Sequence, residues 1–294
     1  MWMGQSIVAA ALICLFQSLL TPTCNASPWA SNKAAAAKAG ETSGRSAYPE
    51  FSKALDELYP GALPEGEFAE KLSASLKAKN FHKDNSITCV GACRDEISGS
   101  LVEEISKKQG PVFGFRGLAG FMLCGKTGFG AAHAHSPVDR KGKRRYVYVV
   151  TTHIGIGKDG QAGVCYRGEK GTSSGACGAL CAVQAELKGG HINTELDVDD
   201  MEISVIKQLM TPKVAWGDQP DLSTLTKLAL EVIVQQQLER IIAATVDTKK
   251  ADYAVIAGIQ VHGPEEKGPS SNYVWVWPKA CYTVVNGRRS TLKL

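Results

Sequence analysis

Residues 145–153, RYVYVVTTH, decide the fold. Aromatic and β-branched side chains run almost without interruption, the pattern of a strand buried on both faces in a parallel sheet. The strand ends in His153, and Ile154-Gly155-Ile156-Gly157 then reads as a turn. Residues 86–93, SITCVGAC, repeat the arrangement with a small, apolar run that ends in Cys93 and passes into the charged Arg94-Asp95-Glu96. In open α/β sheets the carboxyl ends of the strands are where ligands bind, so both strands are expected to deliver reactive side chains to one edge.

Working outward, residues 49–80 carry Phe51, Leu55, Leu58 and then Phe68, Leu72, Leu76 at helical spacing, interrupted by Pro60-Gly61 and Pro64, which predicts two helices. A helical segment is expected over 97–109. Residues 114–130 hold six glycines, a density that signals tight turns or close backbone approach. Residues 173–187 read as a small-residue helix capped by Ser173 or Ser174, with Cys177 in its first turn. A long helix over 223–244 precedes strands at 253–262, 273–277 and 282–285. The expected fold class is α/β: a mainly parallel central sheet flanked by helices, forming one domain over 49–294.

Before residue 49 the chain reads as a leader. Residues 6–20 are an apolar run of 15, long enough for a signal-peptide core and short of the roughly 20 residues that span a bilayer. Residues 1–26 are therefore expected to be a signal peptide, removed with no stable membrane insertion afterwards. Residues 27–48, rich in Ala and Ser with a single acid, Glu41, resemble a transit peptide. The two together resemble the bipartite leader of complex algal plastids; the alternative is a secreted or endomembrane-lumen protein with a flexible linker.

The 294 residues are 44% hydrophobic and 21% charged, a composition that buries a real core and excludes collagen, long disorder and a polytopic membrane protein. A net charge of +4 is too small for a nucleic-acid binder. The basic run Arg140-Lys141-Gly142-Lys143-Arg144-Arg145 has no interleaved aromatic and reads as a solvated loop. Nine cysteines, six of them between positions 89 and 181, form no secreted disulfide framework and point to metal or thiolate chemistry.

Cys93, His153 and Cys177 would each stand at a strand's carboxyl end or a helix's first turn and together supply an S, N, S ligand set. Zinc accepts such a set in catalytic sites and keeps a fourth position for water. The sequence separations, 60 and then 24 residues, are not diagnostic. Asp95, two residues after Cys93, could hydrogen-bond that water or occupy the fourth position, while the bland alternative for each cysteine is a small buried hydrophobe. Cys177 could instead be a nucleophile activated by a helix amino terminus with His153 as base. Residues 120–127, GFMLCGKT, match a phosphate loop as a string, but no clean strand precedes them and no helix is expected after Thr127. His133, His135 and His262 read as hydrogen-bonded structural or pocket-lining residues.

Several strings, RGLAGFMLCGKTGFGAAHAHSP, YVVTTHIGIGKDGQAGVCYRGEKGTSSGACGAL and YAVIAGIQVHGP, together resemble the low-CO2-inducible B/C proteins of algae, a divergent branch of the β-carbonic anhydrases. The resemblance runs from about residue 86 to the C-terminus. It implies a homodimer and a zinc ion held by Cys93, His153 and Cys177, the same three ligands. It also implies reversible hydration of CO2 to bicarbonate, favoured at alkaline pH because two thiolates lower the metal's effective charge. Some members of the family lack activity, so the alternative is a non-catalytic zinc-stabilised scaffold or inorganic-carbon sensor. Two departures from ordinary β-carbonic anhydrases stand out. Position 97 is Ile where an arginine should pair with the aspartate, leaving Arg116 or Lys126 as the expected partner of Asp95. The histidine and second cysteine are 24 residues apart, not three. Cys89 is a rival ligand, less suited because only Cys93 has an aspartate two residues on.

Overall fold

The computed structural model describes residues 47–167, 172–215, 217–264 and 272–294. These all lie within one compact unit, Lys38–Leu294. The signal and transit segments expected at 1–48 fall almost wholly outside the described residues.

Two helices, α1 (Pro49–Leu58) and α2 (Glu65–Ala78), flank the two-residue strand β1 (Leu63–Pro64). Pro49 opens α1 where its missing N–H costs nothing, and Phe51 and Leu55 are its buried stripe. Strand β2 (Ile87–Gly91) leads through a 3-10 turn (Glu96–Ser98) into α3 (Gly99–Gln109) and the short β3 (Val112–Gly114). Helix α4 (Gly125–Ala134) precedes β4 (Arg144–Gly155), and a hairpin of β5 (Val164–Arg167) and β6 (Thr172–Gly175) leads into α5 (Gly178–Lys188). Helix α6 (Met201–Met210) is followed by α7 (Leu222–Val232), a π-helical stretch (Ile233–Glu239) and α8 (Arg240–Thr245). Asp221 caps α7 by accepting from the Thr224 amide at 2.7 Å. The long strands β7 (Ala251–Pro264) and β8 (Asn272–Val285) and the short β9 (Arg288–Thr291) complete the chain.

The sheet runs β1-β8-β7-β4-β2-β3, with β9 added beside β8. Strands β3, β2, β4 and β7 are mutually parallel, and β8 closes the edge antiparallel to β7. Strand β4 is buried from Tyr146 to Gly155, with β7 beside its whole length and β2 beside Tyr146–Val150, where its apolar run lies. Its alternate residues feed two cores: Tyr146, Tyr148 and Val150 join Phe129, Leu225 and Ile233, while Val147 and Val149 join Phe68, Leu72, Leu101 and Ile105. Helices therefore cover both faces. Among the described residues no helix is long and apolar enough to cross a membrane.

Several expectations need correction. Arg144, assigned to a solvated loop, begins β4, and Arg145, read both as the end of that loop and as the start of the strand, belongs to the strand; Arg145 pairs with Asp139, and Arg144 donates to the carbonyls of His133 and Ser136. A helix does form from Gly125, inside the glycine-rich segment and through Thr127, its buried Phe129 and Ala132 packing it against the sheet. The two strands expected at 273–277 and 282–285 are one, carried through Pro278, and α6 was not anticipated.

Candidate metal centre

The carboxyl ends of β2 and β4 and the start of α5 converge. Cys93, His153 and Cys177 bring a metal-ligating atom each within 4.8 Å of one another, all three side chains buried. Cys93 follows β2 and is pinned by a parallel bridge to Gly117, with the Gly117 amide donating to Ala92 O and the Arg94 amide to Gly117 O, both at 3.2 Å. His153 is set by β4, whose every residue is registered against β7. Cys177 is not inside the first turn of its helix but is the residue before it, because residues 172–175 are drawn into the β5–β6 hairpin. The amides of Ala179 and Leu180 donate toward its sulfur.

The two sulfurs are 3.9 Å apart, within hydrogen-bond reach of each other. The contact with Cys177, with help from His153 and the Asp95 amide and against the cost of burial, holds the Cys93 thiol well below the ordinary thiol range. Cys177 is pushed well above the ordinary thiol range, first by that same interaction and then by burial. A dication would take both sulfurs as thiolates and displace the protons they carry. Both ring nitrogens of His153 are buried without a hydrogen-bond partner, as a ligand's nitrogen would be before its metal arrives. By donor type, spacing and burial, the three residues fit a metal ion.

Asp95 stands beside the trio, Oδ2 3.9 Å from His153 Nε2, with its own amide 3.5 Å from Cys93 Sγ. Its carboxylate is not paired with Arg116 or Lys126. The partner is Arg167 at the end of β5, which donates from Nη2 to Oδ2 at 2.8 Å and from Nη1 to Oδ1 at 3.1 Å, and is itself steadied by Ser174 Oγ at 2.7 Å and by Glu96. Burial acts to raise the Asp95 pKa, but Arg167 and the neighbouring His153 together hold it below the ordinary carboxylate range. Arg116 instead donates to the backbone carbonyls of Cys93, at 2.7 and 3.1 Å, and Asp95, at 3.1 Å, bracing the turn that carries both. Lys126 is exposed in the first turn of α4.

The remaining candidates fall away from the trio. Cys89 is buried within β2 and pushed up to about 12 by its burial, an inert thiol. His133 bonds Tyr148 Oη at 2.6 Å. His262 is wholly buried with its ring edge-on to His153, and burial drives its pKa well below the usual range, so it is neutral. Glu202 on α6 binds Arg94 and accepts from the Leu118 amide at 2.8 Å, closing the loop behind the site. Three glycines leave no room for a side chain in this wall: a Cβ at Gly117 would stand 2.1 Å from Phe121 O, one at Gly120, where φ is +87°, 2.2 Å from Thr151 O, and one at Gly155 2.2 Å from Val164 O.

Residues 62–285 match the family described as limiting CO2-inducible proteins B/C, β-carbonic anhydrases. No curated protein matches the chain. Among solved structures, limiting CO2-inducible protein LCIB superposes with a TM-score of 0.65 at 29% identity, over 81% of this chain and 97% of that one. PtLCIB4, a homologue of LCIB, gives 0.70 at 22% identity over 82% and 99%, and a point variant of PtLCIB4 gives 0.71 at 22% over 83% and 99%. The sheet, the Cys-His-Cys trio at its carboxyl edge and the sequence match over most of the chain agree: the chain belongs to the family of limiting CO2-inducible proteins B/C, classed with the β-carbonic anhydrases.

Proposed function

We propose that this protein is a zinc-dependent carbonic anhydrase that interconverts CO2 and bicarbonate. The observation that carries the reading is the Asp95 carboxylate, gripped through both oxygens by Arg167 beside the buried S, N, S trio and outside it. Cys93, His153 and Cys177 would hold the metal. Zinc, when bound, supplies a Lewis acid that makes water nucleophilic near neutral pH. Asp95 is then placed to accept a hydrogen bond from the attacking water and keep its lone pair aimed at carbon. Arg167 keeps the carboxylate from swinging onto the ligand trio, which would close the site. Arg116 fixes the turn from which Cys93 and Asp95 project, and the balance of the reaction is CO2 and water giving bicarbonate and a proton released to solvent.

The reading includes a homodimer and delivery to a complex algal plastid. Support for the plastid lies in the composition of residues 1–48; support for the dimer lies in the family resemblance. Stopped-flow CO2 hydration on zinc-loaded protein at neutral to mildly alkaline pH, wild type beside Asp95→Ala, tests the chemistry. Activity lost in the variant supports it. Stoichiometric zinc with no hydration in either protein replaces it with the scaffold or sensor reading.

A further inference from the structure

Five buried side-chain atoms behind the trio lack a hydrogen-bond partner among the described residues: both ring nitrogens of His153, both of His262, and Oε1 of Gln260. The three residues share one face of the sheet. His153 pairs in register with Gln260 across β4 and β7, Gly155 pairs with His262, and residues two apart on a strand point the same way. The two imidazoles already touch edge to face, centroids 5.3 Å apart at 82°. At the far end Gln260 is anchored, its Nε2 donating to Thr151 Oγ1 at 2.8 Å. In a wholly buried setting an unmade hydrogen bond leaves the group's lost hydration uncompensated, so a cluster of them calls for a partner.

The atoms sort into complementary roles. Nε2 of His153 faces Asp95, which leaves Nδ1 as the outer nitrogen and the bearer of the N–H once the other is given to a metal. A neutral imidazole offers one acceptor and one donor, and Gln260 Oε1 offers an acceptor. We infer that on metal binding His262 becomes the outer partner of His153, accepting from His153 Nδ1–H and donating to Gln260 Oε1, two bonds the structure places within a small ring adjustment but does not itself make, so that a buried relay through Gln260 to Thr151 fixes the ring and tautomer of the metal-ligating histidine. Metal-bound histidines generally give their outer N–H to a carboxylate, a carbonyl or water. Here a second histidine takes that place, and it is a positioning residue.

The inference rests on the zinc reading of the trio, and its test separates the two. His262→Phe keeps the ring and removes both nitrogens; zinc affinity, read by competition with a chromophoric chelator, is expected to fall about 10–100-fold. His262→Gln, which restores a donor and an acceptor, recovers most of the loss, and Gln260→Leu shows a smaller loss in the same direction. With 15N-labelled histidine, the zinc-loaded wild type shows a slowly exchanging His153 Nδ1–H resonance that His262→Phe displaces. A merely structural role lowers the melting temperature of zinc-free and zinc-loaded protein alike, whereas a positioning role narrows the gap between them. Folded His262→Phe with wild-type zinc affinity and an unchanged gap overturns the relay alone; a wild type that retains no zinc overturns the relay and the zinc reading together. Should His262→Phe fail to fold, His262→Gln and Gln260→Leu decide by the same readouts.

Discussion

Replacing Arg167 by methionine removes the charge that positions Asp95 while keeping a side chain of similar length. The guanidinium makes two bonds to the carboxylate, at 2.8 and 3.1 Å, with the arginine side chain 27% and the aspartate side chain 13% exposed. A hydrogen bond between charged partners contributes roughly 1.5–3 kcal/mol. Solvent at the arginine and the desolvation of the carboxylate offset part of the gross sum, leaving about 2–3 kcal/mol for the pair. At 1.4 kcal/mol per factor of ten, that is about a 30- to 150-fold preference for the gripped orientation. Freed of Arg167, Asp95 can turn toward the ligand trio, and kcat/KM for CO2 hydration should fall by a similar factor. Stopped-flow assays on wild type and variant, each with measured zinc content, read the effect. Arg167→Lys should recover only a fraction, because a point charge cannot engage both oxygens at once. Arg167→Met with full zinc and activity within threefold of wild type would refute the claim that this ion pair sets the position of Asp95.

Cys177→Ala should weaken zinc retention on the order of 100-fold or more in chelator competition, since it deletes one of three protein ligands; in the wild type, zinc should protect Cys177 from alkylation, which a cysteine nucleophile would not show. Burial, and then Arg144, bring His133 down to about 4, so it is neutral when folded and protonates near 6.5 when unfolded. Its contribution is therefore complete above about pH 6.5 and is lost as pH falls toward 4; urea melts at pH 7.5 and 4.5 should show a loss of roughly 2 kcal/mol that His133→Gln lacks. Gly120→Ala forces a Cβ against Thr151 O at a backbone φ of +87°, and should cost on the order of 3 kcal/mol in thermal unfolding; a neutral result would mean that the loop moves freely away from β4.

Much of this was readable from the sequence because it depends on local pattern. A strand buried on both faces is apolar on both alternating sets of residues, so Tyr146 to Val150 announce β4 and its place between two neighbours. Cys93 lies two residues beyond the end of β2, His153 two residues inside the end of β4 and Cys177 just before its helix, so near-boundary positions bring the trio to one edge although the sequence ended β4 at His153. Helix α6 escaped because residues 201–210 mix apolar and polar side chains with only Ser204, Ile206 and Met210 buried. Glu202 on that helix, which closes the loop carrying Gly117 and Leu118, escaped with it. The exposed leading turn of α4 explains why Lys126 looked available: nothing in the sequence says that its helix turns it to solvent.

The partner of Asp95 is the more instructive miss. Two oddities stood apart in the sequence: Ile97 where an arginine was expected, and 24 residues between His153 and Cys177. In the structure they are one feature. The segment between the histidine and the second cysteine folds as the β5–β6 hairpin, and the end of β5 carries Arg167 to the Asp95 carboxylate. A hairpin fixes the direction of a side chain only once its register is set, here Arg167 opposite Thr172, so no spacing rule in the sequence could have pointed to it. The long spacer therefore supplies the cation that the cysteine turn, with Ile97, does not carry. It follows that the hairpin register and the position of Asp95 are coupled, and changes that slip β5 against β6 should reach the site through Arg167 without touching any residue that would hold the metal.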